Sequence, residues 1–490
     1  MNSRDEAAMT PRQTRLIQSL ADTLPDRAIV TDRTDIAPWE TDWRQRWHGT
    51  APILFAPDSV AQVQAIVAAA GRERVPLVPQ GGNTSMVGGA TPPADGTAVI
   101  LSLRRLNRIR SIDANAGLAI VEAGVILADL HAAAAAVGRR FPLTLGSRGS
   151  ATIGGLVSTN AGGTQVLRWG TMRGLVAGVE AVLADGSLYD GLAALKKDNR
   201  GYDPNQLLIG AEGTLGIVTA ATLRLAPAIA SRAVGWIGLA SPDDALRLLR
   251  RFQAAGDLVE SFELLPAESL AAVLAHVPGA RAPLAGEHRW HVLVEAVISD
   301  PDAPSPAQFI ERVLVQAIAE NMVEDATIAV NEAQAEAFWR IRDSISDAER
   351  ATGPAAQHDI SVPVEAMPRF LIEAAAACEA RFPGTRASGF GHLGDGNVHF
   401  HVRAPRGADR ATWLAEEAPV VTRFVDDLVV AAGGSISAEH GIGQMKLAEL
   451  ERLSPPPRMA MLRAIKQALD PHGIFNPGKL VALAPGAVAE

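Results

Sequence analysis

The tightest constraint on the fold is a pair of glycine- and hydroxyl-rich segments in the first third of the chain. Residues 79–89 read Pro-Gln-Gly-Gly-Asn-Thr-Ser-Met-Val-Gly-Gly. Residues 146–163 read Gly-Ser-Arg-Gly-Ser-Ala-Thr-Ile-Gly-Gly-Leu-Val-Ser-Thr-Asn-Ala-Gly-Gly. The first runs on from Val75–Pro79, which reads as a strand. Without Cβ atoms the backbone takes positive φ and turns several N–H groups toward one anion, and Thr84 and Ser85 add hydroxyls. Two such loops suit a long diphosphate ligand better than a single phosphate. Two tight turns with no ligand is the bland alternative, weaker for the pair than for either alone. No Gly-Lys-Ser/Thr follows, which excludes a Walker A loop. No Gly-x-Gly-x-x-Gly sits between a strand and a helix, which disfavours an NAD-type Rossmann domain.

The chain has 490 residues, so two or three domains are expected. Apolar residues at 48% and charged residues at 20% allow a sizeable core and exclude wholesale disorder. A net charge of −9 disfavours nucleic acid as partner. The single cysteine, Cys378, excludes disulfides and Cys-built metal sites within one chain. Met1–Arg15 carries scattered charges and no apolar run, and no stretch reaches the length of a membrane span. A cytoplasmic protein without a transmembrane segment is the expectation.

Up to Pro227 the sequence alternates short strands and turns. Helices are expected at Thr10–Asp22, Ser59–Arg72 (capped by Asp58) and Ala128–Val137, with an Asp185-Gly186 hairpin turn after a strand at Val176–Ala184. From Ser231 longer helices appear, including Ala333–Arg350 and Glu365–Arg381, among strands such as Trp290–Val297. This α+β pattern places a boundary near Ala226–Ala230.

Four of the 11 histidines, His392, His399, His401 and His440, fall between residues 392 and 440. Val398–Val402 reads as a strand, so His399 and His401 share one face. His392 lies on the Gly-rich stretch leading in, and Glu439 stands beside His440. Two imidazoles and a carboxylate make a fair catalytic site for Zn²⁺, Mn²⁺ or Fe²⁺. Asp395, followed by Gly396, reads as a turn residue.

Eight motifs in fixed order carry a resemblance that covers Asp42 to Lys479. They include Pro79–Thr84, Ile153–Gly163, Arg168-Trp-Gly170, Gly210–Gly216, His358–Pro363, Gly391–His399, Ser437–Gly443 and Phe475–Lys479. The chain resembles FAD-linked oxidases of the vanillyl-alcohol-oxidase type, in the D-2-hydroxyglutarate and D-lactate dehydrogenase branch. The resemblance implies an α+β fold with a split FAD-binding domain (1–228), an inserted substrate domain (229–435) and a C-terminal segment (436–490) returning to the flavin. It implies FAD-dependent oxidation of a D-2-hydroxy acid to the 2-oxo acid. The FAD contacts it implies are Pro79, Gly81, Gly82, Asn83, Thr84 and Ser85; Gly146, Ser150, Thr152, Gly154, Gly155, Ser158, Asn160 and Gly162; and Glu212, Gly216, Ile217, Val218 and Asn476. Relatives that tether flavin often have His where this chain has Asn83, which implies non-covalent FAD.

The resemblance further implies a metal held by His392, His399 and Glu439, with His440 as general base and Arg342 on the substrate α-carboxylate, a task suited to a guanidinium fork. Ser346, Gln357 and His401 complete the implied substrate site. Two positions depart from the hydroxyglutarate pattern: Gln357 replaces a usual Lys, and His401 a usual Asn. Losing the Lys weakens the case for a diacid, because a buried carboxylate needs a partner. His401 is then free to touch the substrate or to act as a third imidazole. The expected electron acceptor is a flavoprotein, cytochrome or quinone, and a homodimer is the oligomer entertained. The alternatives are an NADPH-dependent flavin reductase, an oxidase using O₂, a metal hydrolase and a non-catalytic flavoprotein.

Overall fold

A computed structural model describes residues 9–483; the charged positions Arg4, Asp5 and Glu6 lie outside them. The chain divides into two compact units. One contains the chain up to Gly162, Thr171–Pro227 and the chain from His440. The other contains Gly163–Gly170 and Ala228–Glu439.

The first unit is built on two sheets. The strands β1 (Ile29–Val30), β2 (Leu54–Phe55), β3 (Leu77–Gln80) and β4 (Val99–Ser102) form one in the order β1-β2-β4-β3. Strands β2, β4 and β3 run parallel and are buried on both faces. The helix Val60–Glu73 covers them with Val63, Ile66 and Val67, which pack with Leu77, Leu101 and Phe475. Its cap is Ser59, whose hydroxyl accepts from Gln62 N–H, rather than the expected Asp58; Asp58 instead pairs with Arg27.

The second sheet of this unit is antiparallel. Its strands are β5 (Ile109–Asp113), β6 (Leu118–Glu122), β8 (Val176–Val182), β9 (Leu188–Asp190) and β10 (Ile217–Arg224), in the order β5-β6-β10-β8-β9. The short pair β7 (Arg139–Arg140) and β11 (Ala226–Pro227) stands apart. The expected turn lies between β8 and β9, with Gly186 at φ +85°.

The second unit is one seven-stranded antiparallel sheet. Its strands are β12 (Ser231–Leu239), β13 (Val259–Pro266), β14 (Trp290–Ile298), β15 (Asp325–Ile328), β16 (Ala355–Ser361), β17 (Arg386–His392) and β18 (Asn397–Arg403). They follow the order β15-β12-β14-β13-β17-β18-β16. Helices Pro242–Ala255, Pro306–Ala319, Met367–Arg381 and Ala418–Ala431 bury their apolar faces against it, in a core that includes Phe252, Phe262, Leu371 and Phe400. The helix expected over 333–350 is two helices, Glu332–Asp343 and Ile345–Ala351, broken at Ser344. Ser344 serves as C-cap of one and N-cap of the next.

Candidate functional site

The expected metal ligands come together within the second unit. His392 ends β17 and His399 lies in β18, across a tight turn in which Asp395 accepts Asn397 N–H. Asp395 thus has the turn role expected of it. Ligand atoms of His392, His399 and Glu439 lie within 4.8 Å of one another, and His392 Nε2 is 3.9 Å from Glu439 Oε1. Around a tetrahedral Zn²⁺, donors at 2.0–2.2 Å sit roughly 3.3 Å apart, so the set fits a first-row divalent ion after slight contraction.

Two carboxylates that the sequence reading missed hold this arrangement. Glu263, 1% exposed on β13, accepts from His392 Nδ1 at 2.7 Å and from Arg342 Nε at 2.8 Å. Burial alone would raise its pKa, but His392 and Arg342 override that and hold it at about 2. An ionised carboxylate only accepts, so Nδ1 of His392 carries the hydrogen. Nε2 faces Nη2 of Arg342 at 3.2 Å and Glu439 Oε1 at 3.9 Å, and is the ring nitrogen that would ligate a metal. The second carboxylate, Asp359 on β16, accepts Glu439 N–H and the Asn397 amide, both at 3.0 Å. Burial pushes the Glu439 carboxyl up to about 7, as expected of a ligand waiting for positive charge. The available signal for Glu263 was an acid in the apolar run Phe262-Glu-Leu-Leu265, anomalous for a fully buried strand.

Arg342 is buried on the helix Glu332–Asp343, against the Phe390 ring and Glu263. His399 and His401 share a face as expected: Phe390 lies 5.1 Å from one ring and 5.6 Å from the other. Gln357 is the cross-strand partner of His401, whereas Ser346 is exposed on Ile345–Ala351. His440 follows Glu439 directly in the chain and opens the last segment of the first unit, which contains Asn476 and Lys479.

In the first unit the two Gly-rich segments converge. A Cβ on Gly81 would lie 2.1 Å from Thr152 Oγ1, and one on Gly82 would lie 1.9 Å from the Ser150 carbonyl oxygen. The segment 146–163 is not all loop, since Ile153–Thr159 is a helix. Gly154 serves its packing: a Cβ there would meet the Cβ of Ala123, just past β6, at 2.6 Å. Gly216 likewise gives room to Leu208. Ile217 and Val218 are buried in β10.

Asn83 takes positive φ and donates to the Thr41 carbonyl, and Ser85 Oγ accepts Gly89 N–H. Gly146 and Ser150 are exposed, while Ser158 accepts Glu212 N–H through its carbonyl and Asn160 caps the helix in the left-handed region. The Glu212 carboxylate accepts Ile442 and Gly443 N–H, both at 2.7 Å, and so ties the returning segment. Asn476 donates to the carbonyls of Gly89 and Glu212. Three buried polar atoms of these segments make no hydrogen bond: Thr152 Oγ1, Gln80 Oε1 and Asn476 Oδ1. Buried polar atoms rarely stay unsatisfied, so these loops fit a polar ligand such as FAD.

Comparison with known proteins agrees. Residues 51–191 match the FAD binding domain family, and 229–480 match the C-terminal domain of FAD linked oxidases. p-Cresol methylhydroxylase superposes with TM-score 0.72 at 15% identity, covering 96% of this chain and 97% of that one. The 4-ethylphenol oxidase of Gulosibacter chungangensis gives 0.69 at 19%, covering 97% and 98%. These define the fold as that of the vanillyl-alcohol-oxidase-type flavoproteins, with FAD as cofactor.

D-2-hydroxyglutarate dehydrogenase of Xanthomonas citri pv. viticola is 37% identical over 464 residues, 95% of this chain and 96% of that protein. The mitochondrial D-2-hydroxyglutarate dehydrogenase of Arabidopsis thaliana is 35% identical over 460 residues, 94% of this chain and 80% of the relative. The chain belongs to this family of FAD-dependent D-2-hydroxyacid dehydrogenases. Among the described residues, no helix is long and apolar enough to cross a membrane.

Proposed function

We propose that the protein oxidises a D-2-hydroxy acid with help from a divalent ion, Zn²⁺ or Mn²⁺, held by His392, His399 and Glu439. The observation that carries this reading is the convergence of those three donors with Arg342 through Glu263. When bound, the ion would acidify the substrate hydroxyl and FAD would accept a hydride at N5. Arg342 holds the α-carboxylate, its guanidinium fixed at Nε by Glu263 and set beside His392 through Nη2. His440 takes the hydroxyl proton, a contribution on the order of 10²- to 10⁴-fold. Ser346, Gln357 and His401 bound the rest of the substrate. D-2-hydroxyglutarate is the first substrate to try, given the relatives' names. FAD is held non-covalently by the segments around 79–85, 146–162, 212–218 and 476. A flavoprotein, cytochrome or quinone takes the electrons onward.

Anaerobic mixing of the metal-replete flavoprotein with D- and L-2-hydroxy acids tests the reading. Flavin absorbance should bleach with the D enantiomer alone. No bleaching with any D-2-hydroxy acid would overturn it. His440→Ala should slow bleaching at least a hundredfold with FAD retained, and a near-normal rate would point to another base.

A further inference from the structure

One buried charged cluster in the second unit joins His401 to two groups not assigned so far, Glu349 and Arg403. Directly opposite residues of antiparallel strands share a face, and so do alternate residues of one strand. One row across β16, β18 and β17 is therefore Asp359, His399 and Phe390. The next is Gln357, His401 and Ser388, and the one after is Ala355, Arg403 and Arg386. The sheet face carrying the metal donor His399 thus continues into His401 and then Arg403, at roughly 7 Å per row.

Glu349, on the helix Ile345–Ala351, meets this face. Its carboxylate takes a hydrogen bond from His401 Nδ1 and another from Ser269 Oγ at 2.9 Å, and it lies 3.0 Å from Arg403 Nη2. Glu349 is 2% exposed and His401 5%. Burial works against its charge, yet the His401 hydrogen bond, with His401 and Arg403, holds the carboxyl below its usual range. An ionised carboxylate in a core is costly, and an apolar residue at this helix position would stabilise the fold more cheaply. The cluster leaves nitrogens uncommitted. Nε2 of His401 makes no hydrogen bond among the described residues, and neither do the buried Nε and Nη2 of Arg403, whose approach to Glu349 is misaligned for one. Buried donors without partners are rare and mark where a ligand group or water belongs. Gln357, opposite His401, brings an amide and no charge; Arg403 brings the charge to the same row through Glu349.

We propose that Glu349 is a positioning residue for substrate selectivity: it holds Arg403 beside His401 so that the uncommitted Nε and Nη2 of Arg403 receive the second carboxylate of a D-2-hydroxy diacid. This rests on the dehydrogenase reading above. The first carboxylate and the hydroxyl lie at the His392–His399–Glu439 end, and the substrate extends along the face of β18.

The test is anaerobic flavin reduction by D-2-hydroxyglutarate and D-2-hydroxyvalerate, which share five carbons and differ only in a terminal carboxylate or methyl. The wild-type protein should half-saturate with the diacid at a concentration at least 30-fold lower. Glu349→Gln should cut that ratio at least tenfold. A ratio is unmoved by a general loss of folded or flavin-loaded protein, because both acids report on one preparation. Arg403→Met, which keeps Glu349, should cut it similarly and serves if the first variant does not fold. Equal half-saturation in the wild type, or an unchanged ratio in a folded variant, overturns the proposal and leaves the dehydrogenase reading standing. Reduction by neither acid overturns the proposal, and reduction by no D-2-hydroxy acid at all overturns the dehydrogenase reading with it.

Discussion

His392 gives its Nδ1 hydrogen to Glu263 across 2.7 Å, from the end of one strand to the middle of its neighbour. The same carboxylate grips Arg342, so one buried acid orients both the proposed metal donor and the proposed substrate clamp.

Glu263→Gln separates these tasks. A carboxamide turns one of the two accepting oxygens into an NH2 donor, so either His392 or Arg342 then faces a donor. Metal affinity, measured by chelator competition, should fall about tenfold to a hundredfold. A change below threefold would show that His392 is held by something else.

Dialysis against a strong chelator should abolish flavin reduction by substrate while the flavin spectrum persists. Zn²⁺ or Mn²⁺ should restore it. Full activity in verified metal-free protein would remove the ion from the chemistry.

FAD should leave on denaturation. The Asn83 side chain is engaged with the Thr41 carbonyl and offers no nucleophile for a flavin bond. Acid-precipitated protein should be colourless, with flavin in the supernatant; a yellow pellet would contradict this.

Gly82→Ala should disrupt the FAD cradle. Its Cβ would fall 1.9 Å from a backbone oxygen of Ser150, so one of the two segments must move. We expect at least a tenfold weaker hold on FAD by fluorescence titration. Unchanged affinity would mean that the two segments need not touch when flavin binds.

Acid sensitivity should trace in part to His291. Burial, with His288 nearby, pushes its pKa down to about 4, and Trp236 Nε1 donates to its Nδ1 at 3.2 Å. The unfolded chain takes up this proton near pH 6.5, the folded protein only near 4. Between those values the unfolded state binds more protons, so stability falls as pH drops, by up to about 3 kcal/mol. His291→Gln keeps an acceptor for Trp236 and should flatten denaturant midpoints between pH 6.5 and 4. An unaltered slope would exclude His291 as the source.

The histidine cluster was legible in the sequence because strand alternation is local: His399 and His401 had to share a face once 398–402 was a strand. The two Gly-rich segments were legible for the same reason, through turn chemistry at neighbouring positions. Amino-acid order, through the family resemblance it carries, thus gave the flavin-binding class, the candidate ligand trio and the departures at Gln357 and His401. Only the tertiary structure decided what braces them. Glu263 and Glu349 lie 129 and 52 residues from the histidines they hold, and no local periodicity encodes a partner at that distance. Their pairing follows from strand order in one sheet and from a helix break at Ser344. Burial then makes each carboxylate costly unless it meets its imidazole and guanidinium partners.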